Sequence, residues 1–111
     1  MMKFNKLQML LEGSKTIKRG KSYIKYSIER DKVVIDDLYV DPNKRGGKEG
    51  YKLLDMVKQL AINLGKNLSL YAEPVNDRAS NSLNSKALIN YYEKYGFTAD
   101  PRIPQLMTMH L

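Results

Sequence analysis

The chain contains no cysteine and no tryptophan, and only one histidine. Without cysteine there is no disulfide framework and no thiolate nucleophile, and the composition fits a reducing, cytoplasmic location. His110 stands alone near the terminus and reads as a surface or packing residue. No His/Cys cluster offers a metal site. No apolar run approaches the ~20 residues that span a bilayer, so no membrane role is expected. The start, Met1-Met2-Lys3-Phe4-Asn5-Lys6, lacks the apolar stretch of a signal peptide. Neither repeats nor a linker divide the 111 residues, so one domain over 1–111 is expected.

What is present is positive charge and tyrosine. The net charge is +7, carried mainly by scattered lysines. That admits a polyanionic ligand, a nucleic acid or an acidic protein surface, or merely a solvated basic face. Eight tyrosines stand beside two phenylalanines. Any one of them is by default a packed ring with a wet hydroxyl.

Hydrophobic periodicity orders the elements. Lys6–Glu12 fits a strand or a helix equally. A short strand over Lys15–Lys18 is followed by a turn at Arg19-Gly20. Tyr23–Glu29 alternates as a half-buried strand, and Arg30-Asp31 turns into a second strand, Lys32–Val40. Leu53, Leu54, Val57, Leu60, Ala61 and Leu64 form one face of a helix over Gly50–Leu64, stopped by Gly65. A strand over Leu68–Ala72, a polar loop over Glu73–Ser82, a helix over Ser85–Tyr95 and a strand over Leu106–Leu111 complete the order. Strand, helix, strand is a βαβ unit, which places one parallel pair in an otherwise antiparallel sheet.

The junction between the second of these strands and the first helix carries the chemical signal. Asp36-Asp37-Leu38-Tyr39-Val40-Asp41-Pro42 leads into Asn43-Lys44-Arg45-Gly46-Gly47-Lys48-Glu49-Gly50, and then the helix begins. Free amides at a helix start, glycines that let the backbone approach an anion, and an adjacent Arg make a phosphate site. A Gly- and Lys-rich surface turn is the plainer alternative. The glycines fit neither a P-loop nor a dinucleotide fingerprint.

This junction resembles motif A of the GNAT N-acetyltransferases, R-x-x-G-x-G/A after a strand ending in L-x-V-x-P. Arg45 matches the first motif residue and Gly50 the last glycine; Lys48 stands where the middle glycine belongs. Ala87–Phe97, which includes Tyr92-Glu93-Lys94-Tyr95-Gly96-Phe97, resembles motif B, a helix ending in Y-E-K-x-G-F. The resemblance covers about Tyr23–Phe97. Ile35-Asp36, Leu70-Tyr71-Ala72 and Asp100-Pro101 are similar to short stand-alone members from phages and mobile elements, a group that includes type V anti-CRISPR enzymes. The family implies a mixed α/β (α+β) fold. It has a mainly antiparallel sheet with helices on both faces and one βαβ unit, and its N-terminal region is reduced here. That reduction implies an open acceptor site, a large substrate, or a homodimer that completes the site.

The resemblance implies acetyl-CoA as cofactor and an amine as acceptor, a protein lysine or a polyamine. Leu38, Tyr39 and Val40 are expected to hold the acetyl and pantetheine arm through their backbone. Lys44, Arg45, Gly46, Gly47, Lys48, Glu49, Gly50 and Tyr51 are expected at the pyrophosphate, with Ser85 nearby. A left-handed backbone at Lys48 would cost about 1–2 kcal/mol, offset by its ammonium beside the phosphates. A lysine of pKa ~10.4 costs about 4.6 kcal/mol to deprotonate at pH 7. Asp36 is the first candidate base and Glu73 the second. Asp37, expected on the opposite strand face, and Tyr71 are assigned to the substrate. Tyr92 is the expected acid for the departing thiolate, and Tyr91 is expected to face elsewhere. The plainer reading of the acids is a partner for a lysine or a turn cap. The alternative function is a non-catalytic basic module on the same fold that contacts nucleic acid or an acidic protein.

Overall fold

Alternation builds the first half of the sheet. In Ser22–Ile28 the side chains of Ser22, Ile24, Tyr26 and Ile28 go inward, while Lys25 points out. The structure is a computed structural model and describes residues 14–73 and 84–111. Strand β1 (Ser14–Arg19) pairs antiparallel with β2 (Ser22–Ile28) across a turn in which Gly20 takes φ 60°. Strand β2 pairs antiparallel with β3 (Lys32–Tyr39).

A single 3-10 turn at Pro42–Lys44 then leads to helix α1 (Glu49–Leu64). The helix buries Leu53, Leu54, Val57 and Ala61 and stops at Gly65, φ 68°. Leu64, expected on the apolar face, is 44% exposed because the face has turned away from the sheet at the last turn. Strand β4 (Asn67–Tyr71) lies parallel to β3, completing the βαβ unit. Helix α2 (Ser85–Tyr95) is capped by the Asn84 side chain, which accepts from Ala87 N at 2.8 Å. Strands β5 (Thr98–Ala99) and β6 (Leu106–Met109) finish the sheet, whose order is β1-β2-β3-β4-β6-β5. Two-residue β5 is too short to leave a periodic trace in the sequence.

The mixed, mainly antiparallel sheet matches the expectation. Both described helices lie together on one face: Tyr51 of α1 contacts Tyr91 and Tyr95 of α2, and Tyr95 donates to Asp55 at 2.6 Å. The alternative helix over Lys6–Glu12 and most of the loop over Glu73–Ser82 lie outside the described residues. The core beneath the helices joins Ile24, Val33, Ile35, Leu53, Leu54, Val57, Leu68, Tyr92, Phe97 and Met107. Each large apolar side chain buried there contributes about 1.5–3 kcal/mol. Among the described residues no helix is long and apolar enough to cross a membrane.

Candidate active site

Two breaks in regular pairing open the site. The β3–β4 ladder runs from Lys32↔Asn67 to Ile35↔Leu70 and stops. Beyond that point β3 continues to Tyr39, while Tyr71 of β4 pairs with Leu106 on its other side. The two strands therefore part. On the β2 side, Lys25 pairs with Asp37 but Tyr26 with Ile35, so Asp36 is the extra residue of a β-bulge.

The bulge corrects one expectation. Asp36 and Asp37 do not point to opposite faces. Asp36 accepts from Ser27 Oγ at 2.5 Å and Asp37 from the Tyr23 hydroxyl at 3.2 Å. Tyr23 and Ser27 are four residues apart on β2 and so share a face. Both carboxylates therefore lie on that face, and both line the cleft.

The cleft has a volume of about 1330 Å³, above the ~300–1,000 Å³ of ordinary ligand pockets. Asp36, Asp37, Tyr71 and Glu73 line it where the strands part. Leu38, Tyr39 and Val40 line its floor, and Lys44, Arg45, Gly46, Gly47, Gly50 and Tyr51 the loop end. Leu88, Tyr91, Tyr92 and Lys94 enter from α2. Lys48, Glu49 and Ser85, expected at the cofactor, do not line it.

The loop is cross-linked by its own charges. Asp41 is buried; its N–H donates to Ser22 Oγ at 2.9 Å and its carboxylate accepts from Asn43 N at 3.1 Å. Glu49, 7% exposed, accepts from Arg19 Nε at 3.0 Å and lies 3.7 Å from Lys44 Nζ. The Arg19 hydrogen bond holds its carboxyl below the usual range, against burial, with help from the charges of Arg19, Lys44 and Lys52. Its place in the first turn of α1 also suits the helix dipole. Arg45 Nε donates to the Val40 carbonyl at 2.9 Å, and the guanidinium lies over the Tyr39 ring. The left-handed position is Gly46, φ 86°, not Lys48, whose φ is −108°. No strain therefore attaches to the lysine, and it is exposed. Gly50 is required for a different reason: a Cβ there would come within 2.1 Å of the Tyr91 hydroxyl.

Tyrosines form the wall opposite the sheet. Tyr92 is buried edge-on against Tyr91 and Phe97. Burial, then Tyr91 and Asp37, push its hydroxyl well above the ordinary 10.0, so it stays protonated. Tyr91 does not face elsewhere. It lines the same cleft, and burial followed by Tyr51 raises it to about 12. Tyr51 donates to the Tyr91 carbonyl at 3.2 Å. Sequence reasoning missed Tyr91, Leu88, Lys94, Tyr23 and Lys25 as cleft residues. Tyr23 and Lys25 carried one signal, their alternation opposite the two acids.

These residues fit acetyl-CoA. A glycine-lined, cationic loop end suits a diphosphate, a groove between parted strands suits an extended arm, and an acid-lined mouth suits an amine. The family model described as the acetyltransferase (GNAT) family matches residues 20–97. Among solved structures, the anti-CRISPR protein AcrVA5 is 35% identical, with 87% of this chain and 98% of that chain covered and a TM-score of 0.75. The PaiA N-acetyltransferase of Thermoplasma acidophilum, in complex with coenzyme A, is 22% identical over 79% of this chain and 50% of its own, with a TM-score of 0.57. Ard1 of Thermoplasma volcanium is 21% identical over 79% of this chain and 60% of its own, with a TM-score of 0.54. The last two similarities concern the fold alone. A comparison with curated proteins finds no match. The chain belongs to the GNAT acetyltransferase family. It is an acetyl-CoA-dependent N-acetyltransferase.

Proposed function

We propose that the acceptor is a lysine side chain on a protein, approached through the acid-lined mouth. The observation that carries this is the parting of β3 and β4 with Asp36, Asp37 and Glu73 on one side and the buried Tyr92 on the same cleft. The mouth is open: Tyr71 is 52% exposed and Asp36 is exposed, which suits a lysine carried on a large surface better than a small polyamine. Similarity to AcrVA5 supports an anti-CRISPR role, with a Cas effector as the protein modified.

Bound acetyl-CoA supplies the activated acyl group. Lys44, Arg45 and the backbone of Gly46, Gly47 and Gly50 would hold its phosphates, and the backbone of Leu38–Val40 would align its arm. Asp36 takes the proton of the incoming ammonium, with Glu73 as the alternative base. Asp37 draws the cation in. Tyr92, kept neutral by burial, holds the proton for the departing thiolate. The enzyme works as one domain in the cytoplasm, and a homodimer that walls the mouth is compatible with the same roles.

The test measures coenzyme A release and intact product mass with acetyl-CoA and, separately, a purified type V effector, an unrelated lysine-rich protein and spermidine. Acetylation of a protein lysine is expected. Turnover confined to spermidine overturns the protein acceptor. Asp36→Asn should slow transfer at neutral pH and recover in part at high pH, where free amine is abundant; absence of recovery passes the base role to Glu73.

A further inference from the structure

We infer that Lys25 is itself an acceptor, and that the enzyme acetylates its own Lys25 when no outside amine fills the cleft. The inference rests on the acetyl-transfer reading above. Four cationic side chains line the cleft: Lys25, Lys44, Arg45 and Lys94. Arg45 offers no primary amine. Lys44 is paired with Glu49 at the loop end. Lys94 sits on α2, on the wall opposite the acids.

Lys25 alone belongs to the acid end. Its cross-strand partner is Asp37, at the edge of the bulge that places Asp36 and Asp37 on one face. Lys25 lies on that same face, midway between Tyr23 and Ser27, whose hydroxyls bind the two carboxylates. It is exposed, and among the described residues it enters no ion pair. Its ammonium lies over the face of the Tyr23 ring, 5.5 Å from the centroid. An ammonium held by an aromatic face at an exposed site is bound by only about 0.5–1 kcal/mol, and the four-carbon stem rotates freely. The side chain therefore swings over the point where β3 and β4 part.

The step balances with the cofactor this family already uses. The Lys25 ammonium gives one proton to Asp36. Its nitrogen then forms a bond to the acetyl carbon of acetyl-CoA, the C–S bond breaks, and the sulfur leaves with the electron pair. The sulfur is protonated from Tyr92, and Tyr92 regains its proton from the second one that the nitrogen sheds, leaving an acetamide on Lys25, coenzyme A as thiol, and the proton on Asp36 to be returned to solvent. The product has no cation beside Asp37. The acids then face an incoming lysine without a competing internal ammonium.

The experiment incubates the full chain with acetyl-CoA and no acceptor, and follows each lysine by peptide mass mapping. Acetyl should accumulate on Lys25 roughly tenfold or more faster than on Lys18, because Lys25 is held at the reacting end. The rate per molecule should not change on dilution, and excess coenzyme A should suppress it. A second readout needs no turnover: coenzyme A should shield Lys25, but not Lys18, from an amine-reactive label. Equal labelling of Lys25 and Lys18, preference for Lys94, or no shielding overturns the inference. An unmodified Lys25 after incubation without acceptor, in a preparation that acetylates polylysine when it is added separately, also overturns it while leaving the acetyl-transfer reading intact. No transfer to any amine and no coenzyme A binding would sink both.

Discussion

The two ends of the cleft solve opposite problems. At the loop end the charges near the backbone are engaged by the protein itself. Glu49 holds Arg19 and Lys44, Arg45 donates to the Val40 carbonyl, and Asp41 caps the turn. At the mouth, among the described residues, Asp36 and Asp37 accept hydrogen bonds from hydroxyls and form no ion pair. The loop end is thus built to hold a shape, and the mouth leaves its carboxylates without an ion pair among the described residues. The plainer expectation for the acids, a lysine partner, applies to Glu49 rather than to Asp36 or Asp37.

The strongest way to break this comparison is at the wall between the ends. Tyr92→Phe should lower kcat by about 10²–10⁴-fold, the usual worth of a positioned acid, with coenzyme A affinity unchanged in a calorimetric titration. A parallel loss of affinity would place Tyr92 among the binding residues. Tyr91→Phe is not a neutral control, because its hydroxyl packs over Gly50.

That contact gives the next test. Gly50→Ala should destabilise the fold by about 1–3 kcal/mol through overpacking, read as a lower Tm, and weaken coenzyme A binding as the loop shifts. Adding Tyr91→Phe removes the oxygen that the new methyl meets and should recover part of the loss. No recovery would mean that Val40, 3.3 Å from the same Cβ position, is the tighter limit.

Glu49→Gln sharpens the loop end through pH. A carboxyl held below its ordinary value of about 4.5 stabilises the fold fully above that value and loses the contribution as pH falls through the lower, folded value. The variant should therefore melt earlier at pH 7, and the two Tm curves should converge as the pH drops below about 4.5. A constant gap would show that packing, not charge, sets the effect.

The smallest effect is expected at Lys48. Its backbone is unstrained, its side chain is exposed, and it does not line the cleft. Lys48→Gly should change coenzyme A affinity by less than about twofold, and Lys48→Glu only modestly and more at low salt. A large loss on Lys48→Gly would bring this lysine back to the phosphates.

The sequence by itself determined the element order apart from β5, the βαβ unit and the residues around the loop. These follow from local rules: period-two alternation in Tyr23–Glu29, helical spacing from Leu53 to Leu64, and stops at Gly65 and Gly96. The resemblance pointed to Asp36, before motif A, Tyr92, within motif B, and Glu73, at the end of the next strand, and all three line the cleft; their catalytic roles rest on the tests above. Only the tertiary structure decided which face Asp37 occupies, because a bulge exists only in the pairing of β2 with β3. Only packing brought Tyr91 over Gly50, forty-one positions apart in the chain, and joined Arg19, Lys44 and Glu49 into one network. Local propensity orders elements along the chain, but which side chains meet depends on register and on how the helices seat against the sheet.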